Sequence, residues 1–179
     1  MTHRLFVAIR IKPNSKIREL IQYLKKFPST KTVEEENLHV NLKFLGDVRK
    51  KEIKKSKEAL KELKNFSAFK INLQGIGAFP NQGYIKVIWI GVKSPEIEEL
   101  AEKIEEKYVE KGFEQRKRTY KPHVTIARVK TKPNQRIGKI FKEFDKEYME
   151  IQANEVELIE SELTPKGPVY KTIEKIRMG

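Results

Sequence analysis

The sequence predicts an α+β fold of two similar β-α-β-α-β halves, about residues 1–80 and 81–179, in one bilobal domain with largely antiparallel sheets facing across a central cleft. Three observations predict it. A short stretch occurs twice, as Leu38-His39-Val40-Asn41-Leu42-Lys43-Phe44-Leu45-Gly46 and as Pro122-His123-Val124-Thr125-Ile126-Ala127-Arg128. Each copy opens an apolar-alternating run, the mark of a strand with one face buried. The segments around both copies also follow one order: strand, helix, histidine strand, helix, strand. A duplicated unit packs with approximate two-fold symmetry, which sets equivalent strands face to face.

In chain order, residues 5–11 form a compact apolar run, read as the first strand. Pro13-Asn14-Ser15 supplies a turn and a helix N-cap. Ile17, Leu20, Ile21 and Leu24 follow at helical spacing, and Pro28 stops that helix. Glu34-Glu35-Glu36 leads into the first histidine strand, which is expected to end at Gly46-Asp47. Residues 48–63 read as a helix with Ile53, Leu60 and Leu63 apolar beside a solvated lysine face. Residues 69–73 alternate as a strand. Gly75-Ile76-Gly77 lacks the third glycine and following helix of a phosphate loop, so it reads as a turn or bulge.

Residues 84–92 form a strong strand, with Trp89 assigned to the core. Ser94-Pro95-Glu96 caps a helix carrying Ile97, Leu100, Ile104 and Tyr108. Gly112 ends it, and the basic Arg116-Lys117-Arg118 precedes the second histidine strand. Residues 135–144 read as helical and residues 149–163 as holding one strand. Thr164-Pro165-Lys166-Gly167-Pro168 turns into a last strand over residues 169–176. Unequal loops account for the small difference in spacing between Leu5 and His39 and between Tyr84 and His123.

Composition narrows the function. There are no cysteines, which excludes disulfides, zinc-cysteine sites and thiol catalysis. The formal charge of +13 favours polyanionic partners, nucleic acid first, although a lysine- and glutamate-rich surface also suits a heat-stable protein. The apolar part of the N-terminus is too short for a signal peptide. No apolar run approaches the ~18 residues of a membrane span, so no membrane partner and a cytoplasmic location are expected.

Two of only three histidines sit in the repeated context. Side chains two apart on a strand share a face, so His39 points with Asn41, and His123 with Thr125. An imidazole both takes and gives a proton near neutrality. Two facing histidines supply a base and an acid together, which suits in-line displacement at phosphorus, each contributing roughly 10²–10⁴ in rate. Asn41 and Thr125 can hydrogen-bond the phosphate oxygens that gain charge. This chemistry calls for no cofactor and no metal. A two-histidine metal site would need a carboxylate on the same face, and Glu36 is the nearest candidate. His3, alone at the chain's start, is expected to be idle.

The two motifs resemble the signature of the two-histidine (2H) phosphoesterases, in particular the RNA 2',3'-cyclic phosphodiesterases also called 2'-5' RNA ligases. Phe6-Val7-Ala8-Ile9, Leu42-Lys43-Phe44-Leu45-Gly46, Lys121-Pro122-His123-Val124-Thr125-Ile126-Ala127-Arg128, Ser161-Glu162-Leu163 and Gly167-Pro168-Val169-Tyr170 carry the likeness over nearly the whole chain. The resemblance implies a bilobal fold with the site between the lobes and metal-independent opening of a 2',3'-cyclic phosphate to a 2'-phosphate. It implies His39 as acid to the leaving 3' oxygen and His123 as base to water; the residues themselves leave that assignment open. The family has threonine where this chain has Asn41, whose bulkier amide still donates to a phosphate oxygen.

Arg128 matches a family arginine that can clamp phosphate. Strict alternation turns it away from His123 unless a bulge intervenes, and a surface ion pair is the competing reading. Lys43 shares the parity of His39 and is a candidate phosphate contact, against a solvated strand end. Arg116, Arg118 and Tyr120 are candidates to hold RNA backbone and stack a base, against an ordinary basic loop. The expected partner is RNA with 2',3'-cyclic phosphate ends, tRNA fragments among the candidates, and a monomer is expected. Ligation of such ends to a 5'-hydroxyl, a non-catalytic RNA-binding module and a small-cyclic-nucleotide phosphodiesterase are the alternative readings.

Overall fold

The computed structural model describes residues 1–130, 132 and 135–179. The elements run β1 (Thr2–Arg10), α1 (Ser15–Leu24), β2 (Thr30–Thr32), β3 (His39–Arg49), α2 (Ile53–Lys61), β4 (Phe69–Asn81), β5 (Tyr84–Lys93), α3 (Pro95–Glu110), β6 (His123–Val129), α4 (Ile140–Glu143), β7 (Glu147–Ala153), β8 (Glu155–Thr164) and β9 (Gly167–Arg177). The α+β class is as expected.

The strands form one nine-stranded antiparallel sheet in the order β7-β4-β5-β6-β3-β1-β8-β9, with β2 paired to β6, and its two lobes are β7-β4-β5-β6 with β2 and β3-β1-β8-β9. The lobes meet where β3 and β6 touch, through the pair Val40–Val124. The last strands cross over: β4 joins β5 of the second half, and β8 returns to β1 of the first. That crossing corrects the reading of residues 149–163 as one strand. β7 pairs with β4 in one lobe and β8 with β1 in the other, with the break at Asn154.

The helices form where the apolar periodicity places them. Asn14 accepts a hydrogen bond from the Ile17 amide (3.1 Å) and Ser94 from the Ile97 amide (3.3 Å), caps worth about 1 kcal/mol each. Ile17, Leu20, Ile21 and Leu24 on α1, and Ile97, Leu100, Ile104 and Tyr108 on α3, are all buried. The first two residues of the predicted 48–63 helix are instead strand, because Asp47–Arg49 pair with Thr2–Arg4, and the α-helix begins at Ile53 after a 3-10 turn over Lys50–Glu52. His3 is tied down within the fold, its ring Nδ1 2.6 Å from Glu160 Oε1.

Each histidine strand bulges at the third residue after its histidine. Val7 pairs with Lys43 and Ala8 with Asn41, leaving Leu42 as the extra residue. Ile88 pairs with Ala127 and Trp89 with Thr125, leaving Ile126 as the other. A bulge shifts side-chain parity. Leu42-Lys43 and Ile126-Ala127 are therefore successive buried pairs, and Phe44 and Arg128 are exposed beyond them.

The Gly75 segment is a bulge, as expected: Gly75 has φ +80 and the β4–β5 register shifts between Leu73 and Ile76. Gly77 meets a stricter demand, since a Cβ there would lie 2.1 Å from the Trp89 ring. Gly77→Ala is expected to destabilise the fold by about 1–3 kcal/mol, read as a lowered Tm. Adding Trp89→Ala should remove the clash, so that the double variant loses no more than Trp89→Ala alone.

Candidate active site

The Val40–Val124 bridge explains the site. Both valines are fully buried, so their neighbours in sequence point to the opposite face. Antiparallel register about that bridge brings His39 towards Thr125 and Asn41 towards His123. The four side chains of the repeated motif thus converge on one face of the joint between the lobes, all half-buried.

Both imidazoles are held in the same way. His39 Nδ1 donates to the Asn37 carbonyl (2.7 Å) and His123 Nδ1 to the Lys121 carbonyl (2.6 Å). A ring nitrogen that donates to a carbonyl carries the proton, which leaves Nε2 for chemistry on each ring. Aromatic walls stand behind them. Phe6 and Tyr170 pack on His39 at 5.0 and 5.5 Å between centroids, and Phe79 and Trp89 on His123 at 4.9 and 6.1 Å.

Burial lowers the pKa of His39, and the charges of Arg10, His123 and Arg128 push the same way against the Asn37 hydrogen bond. Burial also lowers that of His123, assisted by Arg128 and opposed by the Lys121 carbonyl. The Arg128 guanidinium therefore acts on both rings. The β6 bulge that the alternation argument required is present, and it returns Arg128 to the histidine face. Burial raises the Tyr170 pKa, with Arg128 and Arg10 opposing.

Lys43 requires a correction. The β3 bulge turns it to the core side, where it is 5% exposed and paired with Glu105 of α3, with Oε2 at 3.0 Å. It is not a phosphate contact. Trp89 also moves from its expected place: it lies beside His123 on the site face rather than in the core. Asn41 is half-buried, and its Oδ1 is buried without a hydrogen-bond partner among the described residues.

A groove of about 1220 Å³ leads away from His123 and Asn41, walled by Phe44, Phe79, Lys86 and the 113–121 loop. Arg116, Arg118 and Tyr120 all line it. Arg118 is exposed, whereas Arg116 is tied to Glu102 (2.9 Å) and lies over the Tyr120 ring at 5.3 Å. The Tyr120 hydroxyl donates to the Asn41 carbonyl (2.8 Å). Among the described residues, no three His, Asp or Glu side chains cluster as a metal site. No helix there is long and apolar enough to cross a membrane.

Sequence reasoning missed Arg10, Glu157 and Tyr170 as site residues. Arg10 pairs across the strands with His39 and is held by Glu157 (3.4 Å), the Glu36 carbonyl (2.9 Å) and Thr172 (3.3 Å). Tyr170 had a signal in the Gly167-Pro168-Val169-Tyr170 segment. Glu157 had none, because β8 reaches the site only through its pairing with β1.

Comparison with known proteins agrees with this geometry. The family model described as the 2'-5' RNA ligase superfamily matches residues 13–165. The chain is 41% identical over 180 residues to the RNA 2',3'-cyclic phosphodiesterase of Methanocaldococcus jannaschii, covering 96% of this chain and 99% of that protein. It is 39% identical over 174 residues to the protein of the same name from Archaeoglobus fulgidus, covering 95% and 97%. Among solved structures, a protein of Thermus thermophilus superposes with a TM-score of 0.85 at 26% identity, covering 98% of this chain and 97% of that one. Escherichia coli LigT complexed with 3'-AMP shares the fold, with a TM-score of 0.76 at 22% identity over 99% of each chain. The matched span takes in both histidine strands and the relatives align over almost their whole length, so the chain belongs to the 2'-5' RNA ligase superfamily of two-histidine (2H) phosphoesterases.

Proposed function

We propose that the protein is an RNA 2',3'-cyclic phosphodiesterase that opens the cyclic end to a 2'-phosphate, with His39 and His123 as the acid/base pair and no metal. The observation that carries this reading is the pair of half-buried imidazoles with Nδ1 anchored and Nε2 free, on one face about the Val40–Val124 bridge. The names of the aligned relatives support the substrate.

Water attacks phosphorus in line with the 3' oxygen. In the roles the resemblance implies, His123 takes the water proton at Nε2 and His39 gives one to the departing 3' oxygen. The products are a 2'-phosphate and a free 3'-hydroxyl, and exchange with solvent restores both rings. Arg128 neutralises charge that gathers on the non-bridging oxygens, and Thr125 donates to them. The Asn41 amide offers the same oxygens a donor. The basic groove takes the rest of the RNA, tRNA fragments being suitable in charge and size, and the protein works as a cytoplasmic monomer.

Joining a cyclic end to a 5'-hydroxyl uses the same groups, the hydroxyl replacing water. The groove beside His123 favours this second reading by giving such a strand room. The test is turnover of a short RNA ending in a 2',3'-cyclic phosphate, with EDTA present, with and without a 5'-hydroxyl RNA. A 2'-phosphate product in EDTA is the expected result. Loss of activity in EDTA would sink the metal-free mechanism, and RNA binding without turnover would make the protein a binding module.

A further inference from the structure

The groove wall formed by residues 113–121 has an unusual support. These residues belong to no helix or strand. Among the described residues, no backbone–backbone hydrogen bond beyond that of the Phe113 amide to the Tyr108 carbonyl (3.0 Å) holds the segment. Tyr120 and Lys121 tie its far end to Asn41 and His123, and what holds its start, from Glu114 to Arg116, is a buried ion pair. Glu105, 9% exposed on α3, accepts the Arg116 amide at 3.1 and 3.3 Å from its two oxygens, and it also accepts from Lys43. Lys43 Nζ in turn donates to the Glu114 carbonyl at 2.9 Å. One carboxylate and one ammonium thus bind each other and two loop backbone groups.

We infer that the Lys43–Glu105 pair is a latch that holds the 113–121 loop against β3 and so sets affinity for RNA longer than a mononucleotide, without either side chain touching substrate. The inference rests on the reading of the groove as the RNA path. A loop without backbone hydrogen bonds is ordered only at a cost in chain entropy, which binding must otherwise supply. The latch meets that cost in the free protein. Only the β3 bulge makes it possible, because regular alternation would aim Lys43 at the site. At the equivalent bulge of β6 stands Ala127, and no such pair forms there.

Two variants test the idea. Lys43→Met with Glu105→Met fills the same volume with apolar side chains, an exchange that buried ion pairs commonly tolerate, and it removes the anchors of the Glu114 carbonyl and the Arg116 amide. Glu105→Gln keeps an acceptor for the Arg116 amide and serves alone if the double variant does not fold. Each is compared with the parent on a 2',3'-cyclic mononucleotide and on a short RNA with a cyclic end, and hydrogen exchange is followed at residues 114–117. In the double variant, KM for RNA is expected to rise about tenfold. Its kcat, and both constants for the mononucleotide, should change less than about twofold, while protection of the Arg116 amide is lost. Glu105→Gln should fall between variant and parent in both readouts. Equal losses on both substrates, or an Arg116 amide still protected, would overturn the latch. If the parent turns over neither substrate, the function proposed above fails. RNA binding by fluorescence anisotropy and the exchange experiment then still decide the latch.

Discussion

Replacement of His39 or of His123 by alanine is expected to lower turnover of a cyclic-phosphate RNA by about 10²–10⁴, the usual worth of one positioned acid or base. The double variant should lose much less than the product of the two effects, because the two rings act on a single transition state. RNA affinity should survive in each variant, since the basic groove is left intact. The pH profile carries the sign of the electrostatics. Burial and the neighbouring cations lower both imidazole pKa values from 6.5. In the free enzyme, the base is therefore neutral down to a pH below 6.5, and the acid begins to lose its proton below 6.5 as pH rises. The kcat/KM profile should be a bell whose two limbs both lie on the acid side of 6.5. A bound phosphate is negative and favours the protonated ring, so the alkaline limb of kcat should move to higher pH. An alkaline limb of kcat/KM above pH 7 would contradict the assigned environment of the acid.

Arg128→Ala is expected to lower kcat/KM by about 10–100-fold, the range of a lost charge-assisted hydrogen bond to phosphate. Arg128→Lys should recover only part, because an ammonium cannot offer the guanidinium's two parallel donors. A second readout separates this role from a surface ion pair. The Arg128 charge lowers the pKa of both histidines, so its removal should raise both and carry the kcat/KM bell towards neutral pH. Arg128→Lys keeps the charge and should leave the profile near that of the parent. A loss of activity with an unmoved profile in Arg128→Ala would place the guanidinium away from the rings.

The Thermus and archaeal relatives align over nearly the whole chain. Asn41 stands where the resemblance implies threonine, and its backbone carbonyl accepts from the Tyr120 hydroxyl.

Much of this was legible in the sequence, because it rests on short-range rules. The buried stripes of α1 and α3 follow from helical spacing, and their caps from Asn14 and Ser94. The shared face of His39 with Asn41, and of His123 with Thr125, follows from alternation over three residues. The site face was therefore readable, as was the family. Alternation stops being a guide at a bulge, however. A bulge is a property of two strands, since the extra residue exists only relative to a partner's register. Leu42 and Ile126 look like ordinary strand residues until β1 and β5 are paired beside them. That is why Arg128, a phosphate candidate that strict alternation turned away, returns to the histidine face, and why Lys43, chosen by parity, turns to the core.

The remaining decisions are longer in range. The break of residues 149–163 into β7 and β8 exists because the chain changes lobes at Asn154, and no local pattern marks the choice of sheet. Arg10, Glu157 and Tyr170 meet at His39 only once β8 and β9 have folded back on β1. Glu105 lies 62 residues from Lys43, and each reads alone as a surface charge. The sequence by itself determined the two histidine strands, the shared face of each motif and the positive charge, all of which depend on residue type and local periodicity. Tertiary structure alone decided which neighbours act on the imidazoles and what supports the groove, because register and burial arise only when strands distant in the chain pair.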